Sequence, residues 1–466
     1  MSTITSAARD ARSQLGASFA GELIGPEDAA YDERRAVYNA MIDRRPALIA
    51  RCATTVDVAS TIRFAAQHDL LLAVRGGGHN GAGLGVCDDG VVLDLAMLNA
   101  VEVDAAARTV RAGGGCTLGA VDAATHEAGL AVPAGIISTT GVGGLTLGGG
   151  IGHITRGCGL TIDNLLAADV VLADGTQIRA SADEHPDLFW ALRGGGGNFG
   201  VVTSFLFRAH PISEVQAGPT FWPLEQTAEV MSWYREFILA APLELNGFFA
   251  FLTVPPVPLF PEELHLRKVC GVVWCHTGSA EDAARDLAAV ADVGTPLLHG
   301  VGPAPFPAVQ SLFDGLYPAG HQWYWRADFV NELSDEAIAA HHEWGEKLPT
   351  MQSSMHLYPI DGAAHDVGAD ETAWGYRDAN WAEVIIGVDP DPANAGLIRD
   401  WTVGYWEATH PYSAGGAYVN FMMDEGHARV RATYRGNYER LASVKAAHDP
   451  TNLFRVNQNI EPATAA

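Results

Sequence analysis

Four clusters of glycine in the first 200 residues constrain this chain more than any other feature. They are Gly76–Gly78 with Gly81, Gly83 and Gly85; Gly113–Gly115; the run from Gly141 to Gly152; and Gly194–Gly197 with Gly200. Glycine serves where a backbone takes positive φ or must approach another group closely. Tight turns between strands account for one or two such clusters and poorly for four. Two stretches match G-x-G-x-x-G: Gly76, Gly78 and Gly81, and Gly195, Gly197 and Gly200. A dinucleotide-binding fingerprint needs a helix to open there, because its N-terminus holds the pyrophosphate. Ala-Gly-Leu-Gly follows Gly81, a poor helix former, and the strand-like Val-Val-Thr-Ser-Phe follows Gly200. Both matches fail that test. What remains is an anionic ligand cradled by backbone N–H groups of loops, several of which enclose one long molecule.

The segments between the clusters read as alternating helices and strands. Thr54-Thr55-Val56-Asp57 resembles a capping box with Asp in place of Glu, opening a helix with Val58, Ile62 and Ala65 on one face. Leu70–Val74, Val91–Leu95, Thr109–Ala112 and Val201–Phe207 read as strands. Asp174-Gly175 marks a hairpin between Val170-Val171-Leu172 and Gln177-Ile178. Pro186 suits the first turn of a short helix. From about residue 210 to 410 the glycine clusters give way to Trp, Pro and His, so a domain boundary is expected between Arg208 and Ser213.

Composition removes other classes. The 466 residues carry a net charge of −26 and are 48% hydrophobic, which permits a sizeable core and excludes a disordered polymer. Such a charge repels phosphate backbones, and no basic patch offsets it, so a nucleic-acid partner is not expected. Six cysteines in so long a chain make no disulfide scaffold, and no Cys-x-x-Cys occurs. Cys270 and Cys275, on one strand, point to opposite faces. The N-terminus lacks the apolar stretch of a secretory signal, and no run is long enough to span a bilayer. A soluble, cytoplasmic protein is expected.

The motifs jointly resemble one family. Arg75-Gly76-Gly77-Gly78-His79-Asn80 after a strand is similar to the flavin loop of the vanillyl-alcohol-oxidase (PCMH-type) fold. The run Gly141–Gly152 is similar to its second flavin loop, and His185-Pro-Asp-Leu-Phe-Trp…Asn198-Phe-Gly200-Val-Val202 to a third motif. Tyr418-Val-Asn420, Tyr438-Glu-Arg-Leu, Asp449-Pro-Thr-Asn-Leu-Phe454 and Asn457-Gln-Asn459-Ile460 resemble the terminal segment of berberine-bridge-enzyme-like oxidoreductases. Asp361-Gly-Ala-Ala and Thr372-Ala-Trp-Gly-Tyr376-Arg377 resemble the mid-chain pattern of bacterial, 6-hydroxy-D-nicotine-oxidase-like members. The resemblance runs in order through nearly the whole chain. It implies an α+β fold, with a two-part FAD-binding domain (1–208, rejoined by a C-terminal segment, 418–466) and an inserted antiparallel-sheet substrate domain (209–417).

The same resemblance implies the site. FAD is held by Arg75, Gly76, Gly77, Gly78, His79, Asn80, Thr139, Thr140, Gly143, Gly144, Gly148, Gly149, Gly152, Gly200, Val202, Asn457 and Asn459, with His79 bonded to the flavin 8α-methyl. Bicovalent relatives carry a cysteine where this chain has Ile137, and isoleucine makes no thioether, so single attachment is expected. Tyr418 is implied to face the flavin as base or substrate anchor; core packing is the plainer reading. A phenol of ordinary pKa about 10 needs a lowered value to act as a base at neutral pH. Asn420, two residues on, is expected to share a strand face with Tyr418. Ile151 stands close to where plant relatives often place a second tyrosine. Thr140 sits at the family's oxygen-gate position, where a small side chain favours an oxidase that reduces O2 to H2O2 over a dehydrogenase.

Outside that set, His153 is a lesser candidate, as readily structural. His341-His342-Glu343 reads as a solvated helix face, with no metal site expected. Trp323 and Trp325 share one strand face opposite Tyr324, lining a pocket or packing a sheet. Val254-Pro-Pro-Val-Pro-Leu-Phe-Pro261 is placed to border the pocket. The expected partners are a small organic substrate and O2. Oxidative cyclisation, a different electron acceptor, and a non-catalytic flavin-binding protein are the alternatives.

Overall fold

The computed structural model describes residues 10–16 and 18–464. Its strands fall into three sheets in chain order. The first holds β1 (Glu22–Ile24), β2 (Leu48–Arg51), β3 (Leu72–Arg75) and β4 (Val91–Asp94) in the order β1-β2-β4-β3. Its β2–β4 and β3–β4 pairs are parallel, so Arg75 and Asp94 end side by side. The second sheet holds β5 (Val101–Asp104), β6 (Thr109–Gly113), β7 (Leu165–Val171), β8 (Gln177–Ser181) and β9 (Val201–Arg208), antiparallel in the order β5-β6-β9-β7-β8.

Local chemistry sets these elements. Thr54 Oγ1 accepts from the Asp57 backbone N–H at 3.1 Å, and the Asp57 carboxylate accepts from the Thr54 N–H at 3.0 Å. That box starts the helix Thr55–Gln67, whose buried Val58 and Ile62 pack with Leu48 and Leu93 against the first sheet. Each such buried aliphatic contributes about 1.5–3 kcal/mol. Gly175, at φ 80°, turns the β7–β8 hairpin, and Pro186 occupies the first position of the helix Pro186–Leu192.

The third sheet begins at β10 (Glu214–Pro223) and continues with β11 (Leu245–Thr253), β12 (Lys268–His276), β13 (Leu298–His299), β14 (Gly302–Pro305), β15 (Gln322–Val330), β16 (Ser354–Pro359) and β17 (Trp381–Asp389). It is antiparallel, ordered β13-β10-β12-β11-β16-β17-β15, with β14 also on β10. β11 is buried along its whole length. One face carries Phe249, Cys270 and Trp381, packed with side chains of the helices Thr227–Ala240, Asp335–Glu346 and Ala395–Thr409. Cys270 and Cys275 lie in different clusters, as alternation requires, and all six cysteines are free.

His341 corrects the expectation of a solvated face. It is buried, with Nδ1 2.8 Å from the Tyr405 hydroxyl on the helix Ala395–Thr409. Helix Asp335–Glu346 is clasped between neighbours, which its polar composition conceals. Among the described residues no cluster of three His, Cys, Asp or Glu is placed to hold a metal, and no helix is long and apolar enough to cross a membrane.

Two buried ion pairs tie chain segments far apart in sequence. Arg156 meets Asp361 at 2.9 and 3.0 Å and also donates to the carbonyls of Ala241, Pro242 and Leu245. Arg377 meets Asp163 at 2.6 and 2.9 Å. Near the C-terminus, the Ile460 N–H donates to Asn198 Oδ1 at 2.9 Å, and buried Lys445 donates to the Asn198 carbonyl at 2.7 Å. The terminal segment thereby closes against the fourth glycine cluster.

Candidate active site

β3 delivers the first glycine loop. Arg75 donates to Asp94 at 2.7 Å, anchoring its start. A Cβ on Gly77 would stand 2.4 Å from the Gly141 nitrogen, and one on Gly141 would stand 2.2 Å from the Gly77 nitrogen. The first and third glycine clusters therefore cross backbone to backbone, which no side chain permits. Gly77→Ala is expected to force the loops apart and empty most of the flavin from the purified protein, read as the ratio of visible to ultraviolet absorbance. Gly396→Ala, on an exposed helix end with open space around it, is expected to be silent.

His79 ends the first loop, half-buried. Its ring stacks on Tyr38 at 4.0 Å and 22°. Thr139 Oγ1 lies 3.0 Å from Nε2, and Thr140 Oγ1 lies 3.4 Å from Nδ1. Burial pulls its pKa down to about 4, so the imidazole is neutral at pH 7 and keeps a lone pair on one nitrogen.

A single long cleft runs from these loops to the third sheet. Arg75, Gly76, Gly77, Gly78, His79 and Asn80 border it, as do Thr140, Gly143, Gly144, Gly200, Val202 and Asn457. Thr139 borders a smaller cleft that also contains His79. At the far side, Tyr418 and Asn420 join Trp323, Trp325, Tyr317, His356, Tyr358 and Phe421. Trp323 and Trp325 face the cleft and Tyr324 does not, as strand alternation demands.

Four residues expected at the cofactor lie off the cleft lining. Gly148, Gly149, Gly152 and Asn459 do not border the cleft. A Cβ on Gly148 would strike the Asn420 amide at 2.4 Å, one on Gly149 the Trp374 ring at 2.3 Å, and one on Gly152 the Ala134 carbonyl at 1.7 Å. These glycines admit protein atoms: Gly148 and Gly149 let Asn420, Trp374 and Tyr418 approach the helix Val142–Gly148. The Val254–Pro261 loop also stands off the cleft, and Leu259 points to solvent. His153 is buried with no partner for Nε2 among the described residues, beside Phe248 and away from the cleft; burial lowers its pKa to about 4.

Tyr418 is buried against Trp374 and Phe421. Its oxygen accepts from the Gly150 N–H at 2.9 Å and from Asn420 Nδ2 at 2.6 Å. Two expectations change here. Residues 419–421 form a single 3-10 turn rather than a strand, so Asn420 reaches Tyr418 around the turn while also donating to the Leu145 carbonyl at 3.1 Å. The Tyr418 pKa is raised rather than lowered: burial dominates, and the two donors pull only partly the other way. Sequence reasoning missed Tyr38, Tyr317, His356 and Tyr358. Only the His356-Leu357-Tyr358 alternation carried a signal, that of two polar rings on one strand face; His356 Nδ1 lies 2.8 Å from the Tyr358 hydroxyl.

The lining suits a long, partly anionic cofactor. A Cβ on Gly144 or Gly197 would meet nothing within 4 Å, so both present bare backbone to the cleft. Asn457 Oδ1 is buried without a partner among the described residues and borders the same space. Glycine loops, a clasped histidine and an aromatic wall on an antiparallel sheet define a flavoprotein oxidoreductase.

Comparison with known proteins agrees. The family model for an FAD binding domain matches residues 46–181, and that for berberine and berberine-like proteins matches 417–461. The (R)-6-hydroxynicotine oxidase of Paenarthrobacter nicotinovorans is 31% identical over 463 residues, covering 96% of this chain and 97% of its own. The crystal structure of 6-hydroxy-D-nicotine oxidase from Arthrobacter nicotinovorans superposes with a TM-score of 0.84 at 27% identity, covering 96% and 99% of the two chains. Glucooligosaccharide oxidase from Acremonium strictum, described with a 6-S-cysteinyl, 8α-N1-histidyl FAD, shares the fold at a TM-score of 0.85 and 23% identity, over 100% of both chains. The chain belongs to the berberine-bridge-like FAD-linked oxidoreductases and is an FAD-binding enzyme.

Proposed function

We propose that the protein is an oxidase whose FAD is bonded through His79 alone. It removes a hydride from a carbon bearing oxygen or nitrogen in a small organic substrate and reduces O2 to H2O2. The observation that carries this reading is His79 itself: neutral, stacked on Tyr38 and held at both ring nitrogens by threonine hydroxyls, at the wall of the cofactor cleft. Among the described residues Ile137 borders the cleft and no cysteine does, which supports single attachment without the second, cysteinyl bond described for the glucooligosaccharide oxidase. Residues 1–208 with 418–466 form the flavin unit in this reading, and 209–417 the substrate unit. The partition of strands at Arg208 and Glu214, and the bonds from Ile460 and Lys445 to Asn198, support that division.

Bound FAD supplies the two-electron acceptor. The chain's own groups do the rest. As phenolate, Tyr418 takes the proton from the substrate hydroxyl or amine and becomes the neutral phenol, and before that transfer the Gly150 and Asn420 N–H groups stabilise the charge on its oxygen. Tyr317, Trp323, Trp325 and Phe421 exclude water and offer flat surfaces to the substrate. Thr140 leaves room for O2 beside the cofactor. In balance, the substrate loses two electrons and two protons, and O2 gains both as H2O2. The test is stoichiometry with a substrate that bleaches the flavin anaerobically: one O2 consumed and one H2O2 formed per substrate oxidised. Dye reduction without oxygen uptake would replace the oxidase by a dehydrogenase.

A further inference from the structure

Residues 314–317, between the helix Phe306–Gln310 and β15, reach His79 by two routes. Asp314 accepts from the Ser138 N–H through Oδ1 at 2.9 Å, and from the Ser138 hydroxyl through Oδ2. Ser138 immediately precedes the two threonines whose hydroxyls meet the His79 ring. On the opposite side, the Tyr317 carbonyl accepts from the Tyr38 hydroxyl at 2.5 Å, and Tyr38 is the ring stacked on His79. The neighbouring backbone is laced the same way: the Tyr38 N–H donates to the Gly78 carbonyl at 3.0 Å, and the Gly320 N–H to the Tyr38 carbonyl at 2.9 Å. The imidazole is thus set by a segment more than 230 residues further along the chain, through contacts that are not among the strand pairings of the third sheet.

We propose that this segment is the positioning device for flavin attachment, with Asp314 as the positioning residue that fixes the Ser138–Thr140 backbone around His79. The inference rests on the His79 attachment proposed above. In that step a ring nitrogen bonds to the 8α carbon as one methyl C–H bond and the imidazole N–H bond are lost. The two protons and two electrons pass to O2, giving H2O2 and leaving the flavin oxidised. A nitrogen aimed wrongly by an ångström slows such a step by about a hundredfold. Asp314 bonds to Ser138 rather than to the ring, and through Ser138 it limits where the ring points.

The experiment compares wild type with Asp314→Ala, Asp314→Asn and Ser138→Ala. Each protein is produced under riboflavin limitation so that it is recovered without flavin, then incubated with added FAD, and the acid-precipitated share of total flavin is followed over time. Asp314→Ala is expected to bind FAD with unchanged affinity and melting temperature but to attach it about tenfold to a hundredfold more slowly. Asp314→Asn, which still accepts from the Ser138 N–H, is expected to recover most of the rate, and Ser138→Ala to fall between. Attachment by Asp314→Ala at the wild-type rate overturns the inference. So does a parallel loss of FAD affinity and melting temperature, because that is what a merely structural role produces. Should Asp314→Ala fail to fold, a wild-type rate in Ser138→Ala overturns it equally. Flavin that stays covalent in His79→Ala instead removes the reading beneath it.

Discussion

Tyr418→Phe is expected to slow anaerobic flavin reduction by about two to four orders of magnitude, the range a positioned acid–base group supplies. The ring and its packing against Trp374 and Phe421 survive the change, so the loss isolates the hydroxyl. Burial raises the pKa of that hydroxyl, and Gly150 and Asn420 direct two donors at its oxygen. Both facts bear on the pH profile. A raised value means the neutral phenol prevails through the physiological range, so a step using phenolate gains about tenfold per pH unit. The wild-type rate is expected to climb through pH 7–9 without levelling, and the phenylalanine variant to lose that slope. Removing one donor with Asn420→Ala is expected to cost about a hundredfold, in line with the loss of one preorganised donor elsewhere. A Tyr418→Phe rate equal to wild type would reduce Tyr418 to core packing.

Asp361→Ala is expected to destabilise the fold by about 3–5 kcal/mol, the cost of leaving a buried partner charge uncompensated. Arg156 is fully buried, and Asp361 is its only carboxylate among the described residues. Its other acceptors, the carbonyls of Ala241, Pro242 and Leu245, are dipoles and carry no full charge. Asp361→Asn keeps the shape and is expected to recover little, since the charge is what Arg156 requires. Replacing both partners by apolar residues removes the unpaired charge and is expected to restore much of the stability. Denaturant midpoints for the four proteins check this, and a near-neutral Asp361→Ala would contradict it. Arg156 lies just beyond the third glycine cluster and Asp361 just beyond β16, so flavin affinity is expected to fall with stability.

What could be read from the sequence was what short-range chemistry decides. Thr54 and Asp57 announce a helix start, Asp174-Gly175 a hairpin, and Trp323 and Trp325 a shared face, because capping, turn geometry and alternation act over a few residues. The first glycine loop was legible for a related reason: its backbone borders the cleft directly. Gly148, Gly149 and Gly152 looked the same in sequence but admit Asn420, Trp374 and the Ala134 carbonyl, partners that only tertiary packing supplies. Asn420 misled because a two-residue spacing suits a strand and a 3-10 turn equally. His341 looked solvated until Tyr405 arrived from another helix. Asp314 and Tyr38 were invisible because their bearing on His79 passes through Ser138 and a ring stack, contacts that no local pattern encodes.

A single bond from His79 to flavin is open to direct test. The measurement is acid denaturation of the purified protein, followed by visible spectra of pellet and supernatant. Flavin absorbance is expected in the pellet for wild type and in the supernatant for His79→Ala, with a flavin-bearing peptide that contains His79. Flavin released by the wild type, or retained in the pellet by His79→Ala, would contradict it.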